Sequence, residues 1–257
     1  MAEKVKRKLP DWLGTYLEYT EMQESPELFH LWTGISSIAA ALERNVFLDR
    51  GIIGKLFPNM YIILTGASAV DRKTTAILIG ETILREACPD INFIAQKITP
   101  EAFIQALQDQ YTSREVGAGY VLAEELSFFL GTSDKSSALI QLLTKAYSCP
   151  DILDYHTKGE GVIEAHMSCV NFLGGTTPEW IKDSLPKYAI QGGWAGRHVF
   201  VYAHEQWNPI AHPELTPKMV RQRDNLLHDI AMIRLLKGEF VWSKDAKEWF
   251  RVWYEEV

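Results

Sequence analysis

The chain has 257 residues, 47% apolar, 23% charged and 11% aromatic, the profile of a globular protein with one large domain or a core plus a small appendage. Lys and Arg number 26 against 33 Asp and Glu, and a net charge of −7 argues against a surface coated with basic residues for nucleic acid while leaving room for a local basic groove. Three separated cysteines, Cys88, Cys149 and Cys169, without a C-x-x-C argue against a disulfide framework or zinc site, and neither a secretory leader nor an apolar run of roughly 18 residues is present, so a reducing, cytoplasmic setting without a membrane span is expected.

Residues 10–44 read as helical, broken at Ser25-Pro26, with Ser25 expected as N-cap and Pro26 as the first residue of a well-buried second helix. Val46–Leu48 reads as a short strand before the turn Asp49-Arg50-Gly51. From Asn59 the pattern becomes α/β. Met60–Leu64 is a continuous apolar run, as in a strand covered on both faces. Thr74–Ala87 reads as a helix, Ile91–Ala95 as a strand, and Thr99-Pro100 caps a helix to about Gln110. Strand Tyr120–Ala123, a helix or turn through Phe129, and helix Ser136–Ser148 follow. Asp151–Thr157 and Gly161–Ala165 form an expected hairpin. Met167–Leu173 reads as a buried strand, Pro178–Leu185 as a helix, and His198–Tyr202 as a strand. A Pro-containing segment, 207–217, leads to a long helix, 217–236, then a short strand Phe240–Trp242 and a helix from Lys244, in which Trp249 and Trp253 are expected to pack on a core or a partner. The chain stops inside that helical pattern, which reads either as a fragment or as a small C-terminal part. Strands alternating with helices predict an α/β fold with a mostly parallel sheet flanked by helices. The expected divisions are an N-terminal helical segment, 1–57, a core, 58–205, and a C-terminal helical segment, 206–257.

The stretch TGASAVDRKTTAI, 65–77, follows the first buried strand and opens a helix. A nucleotide triphosphate needs converging backbone N–H groups, the positive end of a helix, a lysine at the β/γ phosphates and a hydroxyl for Mg2+. Gly66, Ala67, Ser68 and Ala69 are small enough for close approach, Lys73 supplies the cation, Thr74 the metal-side hydroxyl, and Thr75 helps cap the turn. The usual G-x-x-x-x-G-K-[ST] pattern fails, because Ala67 and Arg72 stand where its glycines belong. If Gly66 is the first glycine, the loop is one residue longer than usual. Arg72 adds a charge beside the phosphates, and a side chain there is expected to need a different backbone conformation.

Three further motifs bear on this loop. In GYVLAEELSFFLG, 119–131, two acids end a strand. Glu124 is assigned to the metal and Glu125 to the base that polarises the attacking water. In CVNFLGGTTPEW, 169–180, Thr176 or Thr177 can sense the γ-phosphate or orient water; Thr177 is taken as the catalytic one, and it also suits a helix cap before Pro178. In QGGWAGRHVFVY, 191–202, Arg197 precedes a strand, where it reads either as a finger acting on a neighbouring subunit's nucleotide or as a structural ion pair.

The order of these motifs resembles P-loop ATPases of the AAA+ and superfamily III helicase type. RKTTAI, AEELSFFLG, NFLGGTTPEWI and GGWAGRHVFVYAHE are similar to ATPase domains of phages and mobile elements described as primase–helicase-like, in which Arg-Lys recurs in place of Gly-Lys; the resemblance spans residues 10–205. It implies a P-loop NTPase fold, ATP and Mg2+ as cofactors, and a helicase or translocase of DNA replication in a bacterial or phage-infected cell. It also implies a homo-oligomeric ring, by preference a hexamer, with other replication proteins as further partners. The hairpin would enter the pore and grip single-stranded DNA through Lys158 on phosphate and Tyr155 or His156 on a base. The alternative is a degenerate P-loop protein that serves as a loader or scaffold without catalysis.

Overall fold

A computed structural model describes residues 6–68, 70–131, 134–157, 161–203 and 209–256. Two helices come first, α1 (Trp12–Thr20) and α2 (Glu27–Leu42), then strands β1 (Val46–Asp49) and β2 (Lys55–Leu56). Strand β3 (Tyr61–Thr65) leads through a loop to α3 (Lys73–Ala87), followed by β4 (Phe93–Ile94), α4 (Pro100–Arg114), β5 (Gly117–Ala123), α5 (Leu126–Leu130) and α6 (Asp134–Ala146). The hairpin strands β6 (Ile152–Thr157) and β7 (Gly161–His166) precede β8 (Ser168–Thr176), α7 (Pro178–Ser184), α8 (Lys187–Gln191) and β9 (Val199–Tyr202). The chain closes with α9 (Pro217–Arg234), β10 (Gly238–Glu239) and α10 (Lys244–Glu256).

Five strands form one all-parallel sheet in the order β4-β5-β8-β3-β9. The apolar runs are continuous because both faces are covered. Side chains alternate across β3: Tyr61 and Ile63 point into a core shared with α4, α5 and α6, while Ile62 and Leu64 point into a second core shared with α1, α2, α3 and α9. Each fully buried Leu, Ile or Phe contributes roughly 1.5–3 kcal/mol, so these two layers dominate stability. From β3 the chain runs out to the β4 edge, returns through β5 to β8 beside β3, then crosses to β9 on the other side of β3. The strand order therefore reverses at β3, and ligands of open parallel sheets bind at the carboxyl ends beside such a reversal.

Several elements depart from the sequence expectation. Pro26, not Ser25, stands at the α2 N-cap position, and the Ser25 hydroxyl instead donates to the Arg72 carbonyl at 3.0 Å. Helix α4 runs to Arg114 because Glu115, at φ 61°, is what turns the chain left-handed. The late strand is Gly238–Glu239, which pairs in parallel with Val46–Phe47; Phe240 and Val241 stay exposed. Helix α8 and strand β2 had no clear sequence signal. Trp249 and Trp253 are not packed on a core: they stack on each other with centroids 6.4 Å apart, and no residue of α10 is buried. No helix among the described residues is long and apolar enough to cross a membrane.

Candidate functional site

The loop after β3, the end of β5 and the end of β8 lie together at the carboxyl edge of three adjacent strands. β3 and β8 run in register, Thr65 opposite Thr176, and the Gly66 N–H extends the ladder by donating to the Thr176 carbonyl at 3.2 Å. Gly66 packs against Asp71: a Cβ on residue 66 would fall 2.4 Å from Asp71 Oδ2 where that carboxylate now lies. Asp71 is 3% exposed and its carboxylate accepts the Ala67 N–H. This acid carried no assignment from the sequence.

Lys73 is the first residue of α3 and is 7% exposed. Its Nζ donates to the Gly66 carbonyl at 2.8 Å and the Ala67 carbonyl at 2.9 Å. Burial lowers its pKa, opposed by the negative fields of Asp71, Glu125 and Glu179. Thr74 and Thr75 follow, half-buried in the first turn of α3, where the helix N-terminus presents free N–H groups and a partial positive charge. Ser68 is exposed beside them; Ala69 lies outside the described residues.

Arg72 holds the left-handed conformation, φ 46° and ψ 37°, that a glycine at this place would favour. The expectation of a different backbone is thus corrected: arginine adopts this conformation at a cost of about 1–2 kcal/mol. The Ser25 hydroxyl bonds its carbonyl. Its guanidinium pairs with Glu24 on the α1–α2 connection at 2.9 Å, an ion pair that stands where a phosphate contact was expected of this side chain.

Glu124 and Glu125 follow β5 directly. Glu124 is half-buried and accepts from Gln96 Nε2 at 2.7 Å, a partner that the sequence did not reveal because Gln96 lies beyond β4 in an irregular stretch. Glu125 is exposed at the α5 N-cap position, and its field reaches Lys73. The Gly174-Gly175 pair lets β8 approach this end of β5: a Cβ at 175 would lie 2.7 Å from the Glu124 carbonyl oxygen. Glu179, in the first turn of α7, is a third acid whose field reaches Lys73.

The two candidate threonines separate. Thr177 Oγ1 accepts the Trp180 N–H at 3.3 Å and so caps α7. Thr176 is fully buried, and its hydroxyl, like that of Thr65 opposite, has no hydrogen-bond partner among the described residues. Of the two candidates, Thr176 is therefore the one with an uncommitted hydroxyl.

Arg197 and the hairpin lie at the other end of the sheet. Arg197 lies two residues before β9, whose first residue, Val199, pairs with Ile62 near the start of β3, so it stands at the amino end of the strand whose carboxyl end carries the loop. Its Nη1 donates to the Gly193 carbonyl at 2.7 Å, and the guanidinium lies 6.0 Å from the Tyr147 ring centroid. The hairpin base meets the amino ends of β5 and β8, with Gly117 N donating to Met167 O and Met167 N to Asp151 O. Tyr155 packs against the core cluster rather than standing free to stack on a base. His156 is exposed, 3.8 Å from the Asp154 carboxylate, and Lys158 lies outside the described residues.

Among the described residues no group of three or more His, Cys, Asp or Glu forms a metal cage. The Thr74 hydroxyl, in the first turn of α3, and the Glu124 carboxylate, just after β5, are hard oxygens. They fit a Mg2+ that takes one or two protein ligands and completes its shell with phosphate and water.

No protein-family model matches the chain, and no curated protein matches it. Among solved structures it is similar to the apo structure of the NrS-1 C-terminal region (305–718), at 12% identity and a TM-score of 0.37, with 98% of this chain and 53% of that one covered. The chain thus spans about half the length of that structure.

Proposed function

We propose that the chain is a Mg2+-dependent ATPase that drives a DNA helicase or translocase in phage or mobile-element replication. One observation carries this reading: a helix-opening loop with a buried lysine, an acid pair and an orphaned threonine hydroxyl converge at the carboxyl ends of β3, β5 and β8, beside the strand-order reversal. The first N–H groups of α3 and Lys73 would bind the phosphates. Thr74 and Glu124 would hold Mg2+, which would offset the negative charge on the oxygens of the transferred phosphoryl group. Glu125, exposed and unburdened by a cap bond, would take the proton of the attacking water. Thr176 would orient the γ-phosphate or that water, while Thr177 fixes α7.

In this reading Arg197 acts only in trans, because it belongs to the opposite end of its own sheet, and the chain works as a ring. The hairpin, with His156 and Lys158, would contact single-stranded DNA. The test is DNA-stimulated ATP hydrolysis by wild type, Lys73→Ala and Glu125→Gln. Loss of turnover in both variants is expected, and equal rates in all three would refute the assigned site.

A second reading, a nucleotide-loop protein that loads or scaffolds without catalysis, is favoured by one observation. Asp71 and Lys73 both bond the Gly66–Ala67 backbone and close the loop on itself. Isothermal titration with Mg-ATP-γ-S separates the two, since this reading expects weak binding or none.

A further inference from the structure

A phosphate-binding loop works because its N–H groups and its lysine face inward together, toward a bound anion. In this chain a side chain of the loop itself already supplies an anion. Asp71 stands two residues before Lys73 and is 3% exposed. A carboxylate is rarely so deeply buried unless hydrogen-bonded and paired with positive charge. Here the Ala67 N–H donates to Oδ2, and Lys73 turns onto the carbonyls of the same two residues, Gly66 and Ala67. The fit is close: with the loop closed, Asp71 Oδ2 occupies the space that a Cβ on residue 66 would take.

We infer that Asp71 is an internal counter-anion that holds the loop closed and sets its affinity for polyphosphate. The inference rests on the nucleotide-site reading above. An incoming phosphate competes with the carboxylate for the Ala67 N–H and is repelled by it, so Asp71 must swing out before the phosphate seats. There is room for this movement. A cavity of about 370 Å3 borders Asp71 and Val70, lined on its other walls by Leu17, Thr20, Gln23 and His30 of the first two helices. Glu18, Glu21, Glu24 and Glu27 also border it; Lys218 pairs with Glu18 and Arg72 with Glu24, and the negative charge left over disfavours the outward position of a carboxylate and makes the closed loop the resting one.

The experiment is isothermal titration of Mg-ATP-γ-S, and separately of inorganic pyrophosphate, into wild type, Asp71→Asn, Asp71→Ala and Asp71→Asn/Lys73→Ala. Asn keeps an acceptor for the Ala67 N–H and removes the charge, so it answers the question even if the Ala variant fails to fold. Asp71→Asn is expected to bind both ligands about tenfold or more tightly than wild type, the scale of one charge-assisted hydrogen bond. The added Lys73→Ala change is expected to abolish the gain. Pyrophosphate should follow the same order, since it carries no base. If wild type binds and Asp71→Asn binds equally or more weakly, the inference is overturned and the nucleotide site stands. If none of the proteins binds either ligand, the site and the inference fall together.

Discussion

Replacing Arg72 by glycine or by alanine tests whether this residue serves the loop through its backbone or through its charge. Its φ of 46° lies in the left-handed region, which costs a non-glycine residue about 1–2 kcal/mol. Glycine removes that cost but loses about 0.5–1 kcal/mol more chain entropy on folding. Both variants also lose the ion pair with Glu24. With the guanidinium side chain 47% exposed and Glu24 24% exposed, solvent screening holds that pair to about 0.2–1 kcal/mol. Arg72→Ala keeps the strain and is expected to be destabilised by up to about 1 kcal/mol, whereas Arg72→Gly stays near wild type. The two should differ by about 2–4 °C in melting temperature, with glycine the more stable. Affinity for Mg-ATP-γ-S is the second readout. An arginine bonded to phosphate is worth about 1.5–3 kcal/mol, roughly ten- to a hundredfold in binding. If the guanidinium keeps Glu24 as its partner when nucleotide binds, both variants bind within about threefold of wild type, well below that range. A tenfold loss in both, or an alanine variant as stable as the glycine variant, would refute the reasoning.

Gly66→Ala drives a methyl group into the Asp71 carboxylate and is expected to destabilise by about 1–3 kcal/mol, with most of the loss recovered in Gly66→Ala/Asp71→Ala; urea midpoints decide. Glu43→Ala removes one buried partner of Arg234, 2.9 Å away, while Asp90 still pairs with the guanidinium, and is expected to cost about 1–3 kcal/mol in chemical denaturation. Burial lowers the pKa of His30 and of His198 to about 4 in the folded chain, against about 6.5 unfolded. Between those values the unfolded state binds the more protons, so stability is full above pH 6.5 and falls as pH drops toward 4, and urea midpoints at pH 7 and pH 5 should differ accordingly. His198→Phe should flatten part of that slope, since a phenyl ring can keep the tilted ring contact with Trp194 while removing the titrating group.

The parallel sheet was legible because Met60–Leu64 and Tyr120–Ala123 are apolar runs with no polar alternation, as expected of a sheet covered on both faces, and Met167–Leu173 is interrupted only by Ser168 and Asn171. The α4 and α7 caps were legible too, because Thr99-Pro100 and Thr177-Pro178 are local signals, and both hydroxyls cap as read. Features that depend on tertiary partners were not. Ser25 looks like a cap in isolation, yet the Arg72 carbonyl, 47 residues away, takes its hydroxyl. Gln96 and Glu179 carry no local pattern and matter only because strand order brings their segments to one edge, whereas Asp71 acts inside its own loop, where no sequence pattern marks a carboxylate bonded to the Ala67 N–H. Tyr155 reads as a hairpin-tip aromatic, but strand alternation turns it onto the core.

The most direct test of the nucleotide site is a structure determined with Mg-ATP-γ-S. The expected result is a triphosphate lying across Gly66–Thr74, Mg2+ held by Thr74 and Glu124, and the Asp71 carboxylate displaced from the Ala67 N–H. A nucleotide bound elsewhere, or a loop still closed by Asp71 at saturating ligand, would contradict it.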